Sequence, residues 1–118
     1  MELTDQLIEY TNNLKDTNID KPFKKFPKYQ VLRHKDSGKW FGLIMPVEKD
    51  KLGLNGTGNV DLLDVKIDPE MNSILRNAPG YLPAYHMNKE HWISIILDGT
   101  VEWKQTISLL NESYELTN

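Results

Sequence analysis

The apolar positions of the first residues recur at helical spacing. Leu3, Leu7, Tyr10 and Leu14 stand at i, i+4, i+7 and i+11, one stripe of a helix over 2–16. Between Asp16 and Pro22 the pattern stops. The segment "KPFKKFPKY" (21–29) interleaves aromatics and lysines with two prolines. Proline removes a backbone donor and breaks helices, so an irregular entry into a sheet is expected there, with Phe23 and Phe26 tucked inward. "YQVLRHK" (29–35) and "KWFGLIMPV" (39–47) read as strands of a hairpin joined by "DSG". Period two places Phe41, Leu43, Met45 and Val47 on one face of the second strand, and Trp40, Gly42 and Ile44 on the other.

A mobile connection, "EKDKLGLNGTGN" (48–59), leads to a third strand, "VDLLDVKI" (60–67). "DPEMNSILRNA" (68–78) reads as a short helix. Asp68 can cap it, Pro69 suits its first position, and Glu70 complements the positive end of its dipole. "PAYHM" (83–87) and "HWISIIL" (91–97) predict two further strands, with "DGT" (98–100) as a turn. The last helix is "VEWKQTISLLNESYEL" (101–116), with Trp103, Ile107, Leu110 and Tyr114 on one stripe and Thr100 as its cap. Helix, three strands, short helix, two strands and helix, joined by short connections, predict an α+β two-layer fold. Its sheet is mainly antiparallel, and the N- and C-terminal helices pack on one face.

Composition narrows the chemistry. With 118 residues, the chain has the size of one ordinary domain, 1–118, able to bury a core without staples. There is no cysteine, which removes disulfides, thiolate metal ligands and thiol nucleophiles. No apolar run approaches the roughly 18 residues of a membrane span. The acidic, amphipathic "MELTDQLIEY" lacks the order of a signal peptide, so a cytoplasmic protein is the expectation. Charge is polarised along the chain. Residues 21–39 carry Lys21, Lys24, Lys25, Lys28, Arg33, Lys35 and Lys39 against Asp36 alone, a local +6 in a chain of net charge −3.

Two stretches concentrate polar function. In "PAYHMNKEHW" (83–92), His86 and His91 would lie about 140° apart on a helix and could not share a ligand. Across a hairpin they would face each other at roughly 5 Å between Cα atoms, which permits a shared ligand or anion. Zinc wants three or four protein ligands, and His34 is the one histidine left over, so no metal site is assigned. In "RHKDSGKW" (33–40), Arg33, Lys35 and Lys39 flank a turn beside Trp40. Such a basic hairpin can hold phosphates while the indole stacks on a base. Basic residues also decorate strand ends to prevent edge pairing, and Trp40 can be core. "GLNGTGN" (53–59) lacks the spacing of a phosphate loop and reads as a flexible turn. No serine stands in a nucleophile-elbow context, and neither an enzyme nor a cofactor is indicated.

Four segments, "RHKDSGKWFGLI" (33–44), "LLDVKIDPEMNSILR" (62–76), "PAYHMNKEHWISIIL" (83–97) and "LLNESYEL" (109–116), resemble the MmcQ/YjbR-like family of small bacterial proteins. The resemblance covers roughly residues 30–116 and implies a CyaY-like, or double-wing, fold. Family members are commonly described as DNA-binding, on the strength of that shape. The frataxin side of the comparison implies iron on an acidic first helix, but Glu2, Asp5 and Glu9 are too few for it. The expectation is a non-enzymatic module that contacts DNA or another anionic ligand. Arg33, Lys35 and Lys39 would supply charge, His86, Lys89 and His91 would line the adjoining hairpin, and Trp40 or Trp92 would stack. The alternative is a protein-interaction or small-metabolite module built on the "YHMNKEHW" hairpin. Either reading requires 33–40 and 83–92 to meet on one surface.

Overall fold

A computed structural model, which describes residues 2–118, places six strands in one antiparallel sheet of order β1-β2-β3-β4-β6-β5. The strands are β1 (Thr17–Asp20), β2 (Gln30–His34), β3 (Trp40–Glu48), β4 (Asn59–Lys66), β5 (Tyr81–Pro83) and β6 (Trp92–Ile96). Helices α1 (Leu3–Asn12) and α3 (Trp103–Thr117) cover one face, and α2 (Pro69–Leu75) links β4 to β5. This is the α+β two-layer arrangement that the periodicities predict. Among the described residues no helix is long and apolar enough to cross a membrane.

The stripe Leu7, Tyr10 and Leu14 does face the core, but the first helix is shorter than its periodicity suggests. Thr17 ends it. Its hydroxyl donates to the carbonyls of Thr11 and Leu14, closing the C-terminal end and launching β1 directly. This edge strand, which pairs with β2 from Thr17↔His34 to Asp20↔Val31, is absent from the hydrophobic pattern. At α2 the reading holds: the Asp68 carboxylate accepts from the amides of Glu70 and Met71. At α3 it does not. Glu102, not Thr100, is the N-cap residue, and the Thr100 amide instead donates to Asp98 in the preceding turn.

The assignment of faces along β3 also needs correcting, and the cause is one residue. Leu32 pairs with Gly42 but Arg33 pairs with Trp40, so Phe41 is an extra residue in a bulge. The bulge inverts parity. Phe41 goes under the helices, against His34 and Tyr114, while Trp40 joins Leu43, Met45 and Val47 on the opposite face. Ser113 of α3 holds the bulge in place. Its buried hydroxyl donates to the Phe41 carbonyl at 2.6 Å and accepts from the Lys66 amide at 2.8 Å, tying β3 to β4 just beyond their ladder.

The two faces of the sheet have different covers. Under α1 and α3 lie Leu7, Leu32, Phe41, Ile44, Leu63, Val65, Ile93, Ile95 and Leu110, all essentially inaccessible. The other face carries Tyr29, Val31, Leu43, Met45, Leu62 and Ile96 and has no helix over it. Three connections cover it instead: 21–29, 49–54 and 84–91. The middle one, expected as a mobile connection, contains a 3-10 turn, Lys49–Leu52, and Leu52 and Leu54 pack on the sheet.

Candidate ligand cleft

Where the first and last of these connections meet, the loop-covered face opens into a cleft. Segment 21–29 brings Phe23, Phe26 and Tyr29; β3 brings Trp40 and Leu43; the 84–91 loop brings His86 and Met87. They line a hollow of about 270 Å³. A second hollow, of about 330 Å³, adjoins it across the shared Trp40 and Met87, and is lined by Lys39, Lys66, Trp92, Leu116 and Thr117. The rings support one another. Phe26 stacks on Tyr29 with centroids 4.6 Å apart, and Phe23 meets Trp40 edge-on at 5.8 Å. Phe26 is not tucked inward: 46% of its surface is exposed, at the mouth of the hollow. Lys24, Lys25 and Lys28 are exposed and alternate in sequence with these rings.

The 84–91 loop is not the strand end that "PAYHM" suggests. β5 stops at Pro83, which pairs with Ile93, and His86 takes a left-handed φ of 64°. Such a backbone is unusual for a side chain with a Cβ, and it aims the imidazole at the aromatic group, 4.2 Å from the Tyr85 ring and 6.3 Å from that of Tyr29. Most of the loop's remaining polarity maintains its shape. Asn88 caps the amides of Glu90 and His91, and the Lys89 ammonium donates to the Ala84 carbonyl. From α2, buried Asn72 donates its side-chain amide to the carbonyls of Lys89, Glu90 and Trp92.

Beneath the cleft lies a carboxyl group the sequence does not single out. Asp64 of β4 is inaccessible on the loop-covered side of the sheet. Ser94 of β6 donates to its Oδ1 at 2.5 Å while accepting from the Tyr85 amide, and Oδ2 has no protein partner. Burial pushes this carboxyl up to about 7, against smaller lowering by the Ser94 hydrogen bond and by Lys89. Burial also raises the Tyr29 phenol, helped by Tyr85 and Asp64.

The eight residues singled out from sequence therefore divide. Trp40, His86, Lys39 and Trp92 line the joined hollows. Arg33 sits beside them, 5.4 Å from the Trp40 ring centroid, but its charge is matched by Asp20 at 2.7 Å, the ion pair found among the described residues. Lys89 folds back onto its own loop. Lys35 and His91 are exposed and line neither hollow. The face-to-face histidine pair has no counterpart in the strand register. Sequence reasoning missed Tyr29, Met87, Lys66 and Asp64; for Tyr29 the signal was the aromatic–lysine alternation of "KPFKKFPKY". A larger open groove of about 680 Å³ runs along α3, but Asp68, Glu112 and Glu115 outnumber Lys104 on its walls, the wrong sign for an anion. Among the described residues no group of three or more His, Asp or Glu is placed to hold a metal ion.

Comparison with known proteins agrees with this architecture. The YjbR family model matches residues 12–116. The chain belongs to the YjbR family. The YyaQ protein of Bacillus subtilis is 42% identical over 113 residues, covering 96% of each chain. A crystal structure from Pseudomonas syringae superposes with a TM-score of 0.92 at 46% identity over 97% of both chains. The crystal structure of the Deinococcus radiodurans protein DR2400 superposes with a TM-score of 0.75 at 28% identity, over 98% of this chain and 78% of that one.

Proposed function

We propose that this YjbR-family chain is a binding module for an anionic ligand carrying a flat ring, of the kind presented by a nucleotide or an unpaired base of a DNA strand. The observation that carries this reading is the joined cleft itself. It has aromatic walls at Phe26, Tyr29 and Trp40 and an imidazole at His86. Lys39 and Lys66 lie in the adjoining hollow, and Lys24, Lys25 and Lys28 are exposed on the segment that carries Phe23, Phe26 and Tyr29. At about 270 Å³ the aromatic part suits one ring system, being near the low end of small-molecule sites. Stacking on an aromatic side chain is worth roughly 1–3 kcal/mol per base and tolerates any base. The lysines would add a salt-dependent, sequence-independent attraction for phosphate.

Fluorescence anisotropy with a labelled single-stranded oligodeoxynucleotide, a mononucleotide competitor and a duplex tests the reading. Single-strand affinity should fall about tenfold or more in W40A, within the range expected for one lost stack. It should fall steeply with salt, less so in a K24A/K25A/K28A variant. Absence of binding to any of the three probes at low salt would dismiss the proposal. Duplex binding that is insensitive to W40A but lost with the lysines would transfer function from the cleft to the basic surface alone.

A further inference from the structure

The cleft wall is attached to the sheet at a point that can gain or lose a proton. The Tyr85 amide, next to His86 and Met87, donates to Ser94, and Ser94 donates to Asp64. Asp64 Oδ2 is sealed and unpartnered. A neutral carboxyl tolerates that position; a carboxylate there lacks half of its hydrogen bonds in a low-dielectric site. We propose that Asp64 is a proton-controlled latch on the 84–91 loop, closed when its carboxyl is protonated and released when it ionises, so that ligand capture in the cleft is linked to proton uptake.

The surrounding groups define how release proceeds. Tyr29 approaches from the 21–29 segment, Tyr85 and Lys89 from the loop, and Ser94 from β6; Lys66 lies two residues along β4. Leu43, opposite Asp64 on β3, is apolar and cannot compensate a charge. Of the two lysines, Lys89 is the cation coupled to Asp64, and in the closed state its ammonium bonds to the Ala84 carbonyl. Ionisation draws Lys89 toward the sealed oxygen and away from Ala84. That removes the cross-loop bond that shapes the segment and displaces Met87 and His86, both walls of the cleft. Burial pushes the Asp64 carboxyl up to about 7, which places the transition near neutral pH. His86 touches the Tyr85 ring, so its contribution must be separated.

The latch itself is independent of the ligand; only its link to capture rests on the reading above. Amide hydrogen exchange of the free protein, expressed as protection relative to the unstructured chain, should show Glu90 and His91, whose amides Asn88 holds within the loop, losing at least tenfold protection between pH 6 and pH 8. D64N should abolish the change and H86Q should keep it. Protection that is constant with pH, or that falls equally in D64N, would overturn the latch. In case D64N does not fold, carbon-13 titration of the Asp64 carboxyl in the unmodified chain gives a second criterion. Its midpoint must coincide with that of Glu90 exchange, and separate midpoints would overturn the proposal. A pH-dependent loop in a protein that binds none of the oligonucleotide or nucleotide probes would keep the latch and refute the ligand.

Discussion

The two faces of the sheet use the same strands to opposite ends. Under α1 and α3, apolar side chains meet apolar side chains, and the few polar groups there are fully matched. Ser113 serves two strands at once, and Thr11 and Thr117 return their hydroxyls to carbonyls of their own helices. The loop-covered face has an apolar floor but also a sealed carboxyl with one unpartnered oxygen, a phenyl ring, Phe26, that is half exposed, and an imidazole on a left-handed backbone. The helix face supplies stability. The loop face retains polarity and shape that folding alone does not require, and such departures tend to mark functional sites.

Phe41 and Trp40, neighbours sent to opposite faces by the bulge, offer the strongest way to break this comparison. F41A should cost about 3–5 kcal/mol in urea unfolding, as for other fully buried aromatics. W40A should cost clearly less, because Trp40 is only partly buried, yet should cause the larger loss of ligand affinity. Equal stability losses would mean the two faces are not energetically distinct.

Asp64 sharpens the contrast through pH. In the folded chain its carboxyl stays protonated up to about 7, whereas its ordinary value is 3.8. The folded state therefore binds the extra proton between about pH 4 and pH 7, and stability declines as pH rises through that window before levelling. The full effect is at most roughly 4 kcal/mol. Comparing urea unfolding at pH 5 and pH 8, the unmodified chain should lose more stability than D64N; identical losses would place the titration elsewhere. A smaller effect is expected at Asn72. N72A strips the donors from three loop carbonyls and should cost about 2 kcal/mol, with faster exchange confined to 88–92. Smallest of all, R33A should cost under about 1 kcal/mol, because the Arg33–Asp20 pair is partly solvated.

Much of this fold was legible. Periodicity located the helices and four of the strands, while β5 lies at Tyr81–Pro83 and not at 83–87, and the cap at Asp68 was readable from residue types alone. β1 was not, because "TNID" is too short and too polar to alternate. The Phe41 bulge was not, because parity along a strand is read from one end and an inserted residue leaves no compositional mark. At the site, Trp40, His86, Lys39 and Trp92 were legible as chemistry without being legible as neighbours. Arg33 and Lys89 were read as available cations, but their partners, Asp20 and the Ala84 carbonyl, exist only in three dimensions. Asp64 was hidden for a related reason: in "LLDVKI" an aspartate looks like the solvent-facing residue of a half-buried strand, and the cover that buries it comes from residues far along the chain.

The three tryptophans provide the most direct test that the loop-covered face is the binding face. Trp40 and Trp92 line the joined hollows, whereas Trp103 packs edge-on against Tyr10 at the helix-covered core. In a proton–nitrogen NMR titration with a single-stranded oligodeoxynucleotide, the Trp40 and Trp92 indole signals should shift together and saturably while Trp103 stays fixed. Movement of Trp103 alone, or of none of the three at saturating ligand, would contradict the account.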